Sequence, residues 1–168
     1  MTGAMRNKGS KKLTIAKGKQ KPIRLSLSDK RSVRTQFGAL PFRIHDGKVE
    51  ILLITSRGTG RWIIPKGWPM DGETPAGAAA TEAIEEAGVE GKLYHQVLGF
   101  YAYDKGFAGE RLPCVVAVFP LKVKKQLKSY REKHERRRKW VSRKKAAQMV
   151  GQPELRQIIK DFDPKGLR

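Results

Sequence analysis

Acidic residues are scarce in this chain: 16 Asp and Glu stand against 36 Lys and Arg, a formal net charge of +20 over 168 residues. Cysteine is scarcer, and the single Cys114 excludes an internal disulfide. Its setting, "LPCVVAVF", predicts a buried strand thiol rather than a reactive one. Histidine is limited to His45, His95 and His134, whose scattered positions lack metal-ligand spacing and argue against a zinc site. No apolar run approaches the ~18 residues that cross a bilayer, so no membrane association is expected. The basic N-terminus lacks the apolar stretch of a secretory signal, and the expected location is cytoplasmic. "GFAGE" lacks the Lys-Ser/Thr ending of a phosphate loop.

The positive charge is unevenly placed. Residues 1–35 hold eleven Lys or Arg against Asp29, and residues 122–145 hold thirteen against Glu132 and Glu135, giving +10 and +11. The remainder, 12 basic against 13 acidic, is close to neutral. Residues 1–30, rich in Lys, Gly and Ser with little periodicity, read as a basic, flexible arm, and residues 31–168 as one domain. Within that domain "RTQFGALPFRI" and "VEILLITS" predict two strands joined by a hairpin at Asp46-Gly47. "RWIIP" is a short strand, and "KGWPMDGE" reads as a turn. A helix follows, with Thr74 as N-cap, Pro75 at its first position and Gly88 as its stop. "KLYHQVLGFYAY" and "RLPCVVAVFPLKV" predict two long strands and "RRRKWV" another. "SRKKAAQMV", capped by Ser142, and "PELRQIIKDF", opened by Pro153, predict helices. Without regular βαβ alternation this is an α+β pattern.

Glu82, Glu85 and Glu86 are the chemical anomaly. On an α-helix they share an arc of about 100°, where like charges repel. They also sit toward the helix C-terminus, its negative end. Either they form a solvated acidic face, or a hard cation such as Mg²⁺ neutralises them. Glu73, Arg61 and Lys66 nearby suit the second reading, since cations that grip phosphate would stand beside carboxylates that hold a metal.

Gly67, Glu73, Glu82, Glu85, Glu86, Gly88 and Val89 together resemble the Nudix box: Gly, five residues, Glu, seven residues, Arg-Glu-aliphatic, one residue, Glu-Glu, one residue, Gly-aliphatic. Two positions depart, with Thr81 in place of Arg and Ala83 in place of a larger aliphatic residue. The resemblance covers roughly residues 34–162 and implies the Nudix fold, a mixed β-sheet sandwiched between helices. It implies a hydrolase that cleaves phosphoanhydride bonds with Mg²⁺ or Mn²⁺. Carried onto this chain, Glu82, Glu85 and Glu86 are the catalytic carboxylates and, with the Gly67 carbonyl, the metal ligands; Glu82 is the favoured base. In the family the box arginine supports the glutamates and commonly pairs with the position of Glu73. Here a cation from elsewhere, such as Lys66, compensates, or Glu73 is freer and the metal is held less tightly, or the fold is non-hydrolytic.

"LLITSRGTGRWIIPKG", "EEAGVEGKL" and "RRRKWV" look most similar to the diphosphoinositol polyphosphate phosphohydrolase branch, which also cleaves dinucleoside polyphosphates; "PKG" is also seen in diadenosine tetraphosphate hydrolases. Ser56, Arg57, Arg61, Lys66, Arg111 and Arg138 are the candidate phosphate contacts. Trp62 reads as core and Trp68 as a possible stacking residue, with Trp140 packed in the sheet. The alternative class is RNA: the two basic segments would attract a phosphate backbone nonspecifically, or the enzyme would act on RNA 5′ ends. Oligomeric state has no sequence signature here.

Overall fold

The computed structural model describes Pro22, residues 34–107 and residues 110–168; at 107, 110 and 111 it describes the backbone alone. The arm expected over residues 1–30 lies, apart from Pro22, outside the described residues.

Eight strands form one mixed sheet: β1 Thr35–His45, β2 Lys48–Thr55, β3 Trp62–Ile63, β4 Lys66–Gly67, β5 Val89–Leu93, β6 Gly99–Phe107, β7 Glu110–Gln126 and β8 Arg138–Ser142. The hairpin between β1 and β2 turns at Asp46 and Gly47, both at positive φ (49° and 73°), as a two-residue turn with Gly at its second position requires. β1 and β7 run parallel at the centre, from Thr35 beside Val115 to Phe42 beside Lys122.

These central strands are apolar on both faces. Leu40, Phe42, Ile51, Leu53, Val116 and Val118 face one core; Phe37, Ala39, Leu52, Ile54, Ala117 and Phe119 face the other. Two helices cover the first core, α2 (Arg143–Met149) and α3 (Pro153–Asp161), through Ala146, Ala147, Leu155 and Ile159. Helix α1 (Pro75–Glu82) and the turn after it cover the second through Ala76, Ala78, Ala79, Ala83 and Ala87. Alanine side chains are short, so this helix lies close against the sheet and carries its glutamates to the sheet's edge. The expected α+β layering is present. Cys114 is fully buried, as its apolar strand context predicts.

Three local expectations need correction. "KLYHQVLGFYAY" is not one strand: β5 and β6 lie end to end along β7, interrupted over residues 94–98. The break falls opposite Phe119 and Pro120, where proline has no N–H to offer the ladder. "KG" of "KGW" is not a turn; Lys66 and Gly67 pair with Gly38 and Phe37 of β1. The helix over 74–88 is α-helical only to Glu82, and Ala83–Ala87 widen into a π-helical turn closed by Gly88 at φ 62°. Its caps are as expected, with Thr74 Oγ1 accepting from Gly77 N at 3.0 Å.

Candidate active site

The π-helical turn decides where the three glutamates point. The wider turn re-aims the three carboxylates while keeping them close enough that Glu86 and Glu85 act on Glu82. Glu86 turns inward and is 7% exposed. Its Oε2 accepts from the Lys66 backbone N–H at 3.2 Å, and Arg136 Nη2 donates to its Oε1 at 3.3 Å. Glu85 turns outward toward Arg131 Nη1, 3.4 Å away. Glu82 packs on Gly67: a methyl group at residue 67 would overlap its carboxylate. Glycine at 67 therefore permits the close approach of a carboxylate to the backbone at the end of β4.

Burial, then the negative charges of Glu86, Glu85 and Glu132, push the Glu82 carboxyl up to about 7. Burial also raises Glu86, opposed by Arg136 and Lys66. Lys66 is itself held below the usual lysine range by burial, although Glu86 pulls the other way. Its ammonium lies 4.9 Å from the centre of the Tyr103 ring, and the Tyr103 hydroxyl donates to Gln36 Oε1.

The carboxylate held above its unfolded value makes folding pH-dependent. Between about 4.5 and 7 the folded chain keeps a proton on Glu82 that the unfolded chain has released, so stability falls as pH rises through that window. Thermal unfolding of the chelator-treated protein is expected to show this decline, and Glu82→Gln to flatten it; an unchanged slope in the variant would contradict the assignment. Gly67→Ala is expected to displace the Glu82 carboxylate, the flexible end of its side chain, at little cost in stability. Misplacement of a reacting group by ~1 Å lowers rates by roughly 10²-fold. A kcat reduced with an unchanged melting temperature is the expected result.

Thr81, where a cation would be expected, donates its hydroxyl to Gly77 O at 3.1 Å and carries no charge to the glutamates. The side-chain cation in direct contact with Glu86 is Arg136; Lys66 meets Glu86 through its backbone N–H, and its ammonium adds positive charge nearby. The Arg136 side chain, 7% exposed, reaches Glu86, Glu132 Oε1 at 3.4 Å and Thr55 O at 3.1 Å, while its buried Nε has no partner among the described residues. Glu73 Oε1 accepts from Thr74 N at 3.0 Å and occupies the space that a side chain at Gly77 would fill. Arg136, Glu132, Gln36, Tyr103 and Gly77 were not among the residues singled out by sequence. The one available signal was the density of charge in "REKHERRR", which does not say which residues turn inward.

The remaining expected contacts divide. Ser56 and Arg61 share one turn, with Arg61 N donating to Ser56 Oγ at 3.0 Å. Arg57, exposed, approaches Glu132 and Glu135. Arg138 directs its guanidinium at the Ala87, Gly88 and Leu127 carbonyls, where it closes the end of the π-helical turn. The Arg111 side chain lies outside the described residues. Trp62 is half-buried against the core, Trp68 stands under the Lys105 ammonium at 4.8 Å, and Trp140 donates to Gln126 Oε1.

As the side chains stand, no three His, Cys, Asp or Glu among the described residues converge on a point suited to a metal ion. The donor chemistry is nevertheless that of a hard cation: carboxylate oxygens crowded at a glycine backbone, with one carboxyl driven toward protonation by its neighbours.

The NUDIX domain family model matches residues 34–162. Nudix hydrolase 16, mitochondrial, of Arabidopsis thaliana is 34% identical over 136 residues, 73% of this chain and 75% of that one. Diphosphoinositol polyphosphate phosphohydrolase 2 of Rattus norvegicus is 37% identical over 83 residues, 49% of this chain and 46% of that protein. A solved C. elegans Ap4A hydrolase binary complex shares the fold, with a TM-score of 0.55 at 20% identity, covering 76% of this chain and 93% of its own. With the glutamate-bearing helix, the glycine beneath it and the mixed sheet all in place, the chain belongs to the Nudix family of hydrolases.

Proposed function

We propose that this Nudix hydrolase cleaves a phosphoanhydride bond in a highly phosphorylated small molecule, of the dinucleoside polyphosphate or diphosphoinositol polyphosphate class, with Mg²⁺ or Mn²⁺. The observation that carries this is the Glu82 carboxylate seated on Gly67 beside the inward-facing Glu86, with Lys66 on the same short strand. Negative groups for a cation and positive groups for a phosphate chain thus meet at one edge of the sheet. The Gly67 carbonyl, Glu82, Glu85 and Glu86 would hold the metal, which when bound neutralises phosphate charge and makes water more acidic. Glu82 takes the proton from the attacking water. Lys66, Arg61 and Ser56 bind phosphate oxygens, and Arg57 stands at the outer rim.

The alternative of an RNA 5′-end hydrolase draws less support. Part of the second basic run is directed inward, Arg136 to Glu86 and Glu132 and Arg138 to main-chain carbonyls, so fewer of its charges face a phosphate backbone. A hydrolysis panel tests the proposal: diadenosine polyphosphates, diphosphoinositol phosphates, ADP-ribose, nucleoside triphosphates and 5′-triphosphate RNA, each with Mg²⁺ and with chelator. Mg²⁺-dependent turnover of a member of the first two classes is expected. Turnover of the RNA alone would favour the alternative, and inertness toward all of them would leave a non-catalytic fold.

A further inference from the structure

Helix α3 sorts its charges by side. Glu154 and Asp161 line a groove toward the start of β6, where Asp161 Oδ1 accepts from Gln157 Nε2 at 2.9 Å. Asp163, just beyond the helix, lines the same groove and accepts from the Lys165 N–H. Arg156 and Lys160 instead face a hollow of about 620 Å³ against α2, whose Arg143 and Lys144 complete its charged walls. We propose that this hollow binds a compact, multiply phosphorylated small anion. It is a second site, because α2 and α3 cover one face of the sheet and the glutamate-bearing helix α1 covers the other. It does not depend on the hydrolase reading.

The charges are unfavourable by themselves. Four cations line the hollow and no carboxylate does. Among the described residues none of the four pairs with an Asp or Glu. Arg156 and Lys160 are four positions apart on one helix, a spacing at which like charges repel. Arg143 and Lys144 open α2, at the positive end of its dipole, and no acidic residue stands in that first turn. A polyanion reverses the sign of each of these terms.

The two arginines are also held in position. Arg156 Nε donates to Ala147 O at 3.1 Å and its Nη2 to Val150 O at 3.2 Å, while Arg143 Nη1 donates to Phe162 O. A guanidinium has five N–H groups, so most of each fork is left for other acceptors. A fork already fixed loses little freedom when it meets phosphate oxygens, which it matches two at a time.

Shape narrows the ligand. The hollow falls within the roughly 300–1,000 Å³ of small-molecule pockets, and cations crowded about so small a space suit several phosphates on one small frame. A nucleic-acid strand is bound along an extended cationic groove with aromatic rings for its bases, and no ring lines this hollow. The chain's own N-terminal segment is repelled, since residues 1–35 hold eleven Lys or Arg against Asp29.

Binding can be read at the hollow itself. In the ¹⁵N-labelled full chain, with chelator present to prevent hydrolysis, tripolyphosphate is expected to shift the backbone amide signals of Ala147, Gln148 and Lys160 to saturation. Lys144 and Lys160 are exposed and have no partner among the described residues, so their replacement should leave the fold intact. Lys144→Gln combined with Lys160→Gln should weaken the binding at least ~10-fold, the scale of lost charge-assisted contacts. The same change of charge made elsewhere on the surface, Lys124→Gln with Lys128→Gln, should leave it unchanged. Shifts that do not saturate, or equal weakening by the two pairs of substitutions, would overturn the site and leave only diffuse surface charge. Tighter binding of a single-stranded RNA oligonucleotide at equal phosphate concentration would overturn the small-anion assignment in favour of nucleic acid.

Discussion

Glu86→Gln is expected to lower phosphoanhydride hydrolysis by at least ~10²-fold, the scale of losing one charged group that acts on the transition state. The replacement keeps the side chain's shape and removes its charge. In the native arrangement both carboxylate oxygens accept hydrogen bonds, one from Lys66 N–H and one from Arg136. A glutamine offers one acceptor and one amide donor to those two donors, so one contact must be lost whichever way the amide is turned. A lost partner at a buried site costs about 1–3 kcal/mol, and a modest fall in melting temperature should accompany the loss of activity. Activity should fall much further than stability: a variant that unfolds easily but turns over normally per folded molecule would remove Glu86 from the chemistry.

Arg136→Met is expected to produce the largest change in stability. The guanidinium lies between two carboxylates, Glu86 and Glu132, with the three side chains 7%, 9% and 12% exposed. Removing one partner of a buried ion pair leaves an uncompensated charge, at a cost of about 3–5 kcal/mol. For a domain of this size that corresponds to a fall of ~10 °C or more in melting temperature. The guanidinium also donates to Thr55 O, so it links the end of β2, the π-helical turn and the segment before β8. Lysine at 136 keeps the charge but cannot make these separated contacts together, and should restore only part of the loss. The deficit should shrink in acid. Without Arg136 the buried Glu86 would take up a proton in the folded state more readily than when unfolded, and protonation removes its repulsion with Glu132. A stability deficit independent of pH, or absent, would mean that the arginine is not neutralising them.

The parts of the fold set by neighbouring residues were legible in the sequence. Asp46-Gly47 specified its own turn, and Thr74, Pro75, Ser142 and Pro153 marked their helix starts, because each acts on backbone groups within a few positions. The apolar runs of β1, β2 and β7 likewise announced strands, and the structure buries them on both faces. What escaped depends on distant partners. The π-helical turn over Ala83–Ala87 has no local signature in alanine-rich sequence. The interruption at residues 94–98 becomes intelligible only when Pro120 is placed opposite it. The absence of a cation at Thr81 was evident from the resemblance to the Nudix box, whereas the contact of Glu86 with Arg136, 50 residues away, required the third dimension.

The box geometry also explains why two glycines sit where they do. Gly67 leaves room for the Glu82 carboxylate and Gly77 for that of Glu73, so each glycine serves an acidic side chain rather than a turn. The +20 net charge of the chain has a matching internal consequence: cations such as Arg136 and Lys66 are held beside the glutamates from other parts of the fold.

The decisive measurement is the rate of diadenosine tetraphosphate cleavage by the full chain as Mg²⁺ is titrated upward from a chelated start, with Glu82→Gln run in parallel. The wild-type rate should rise from background to saturation with Mg²⁺, and the variant should remain at least ~10²-fold slower at every concentration. Equal rates in the two proteins, or a wild-type rate indifferent to Mg²⁺, would contradict a hydrolase built on these glutamates.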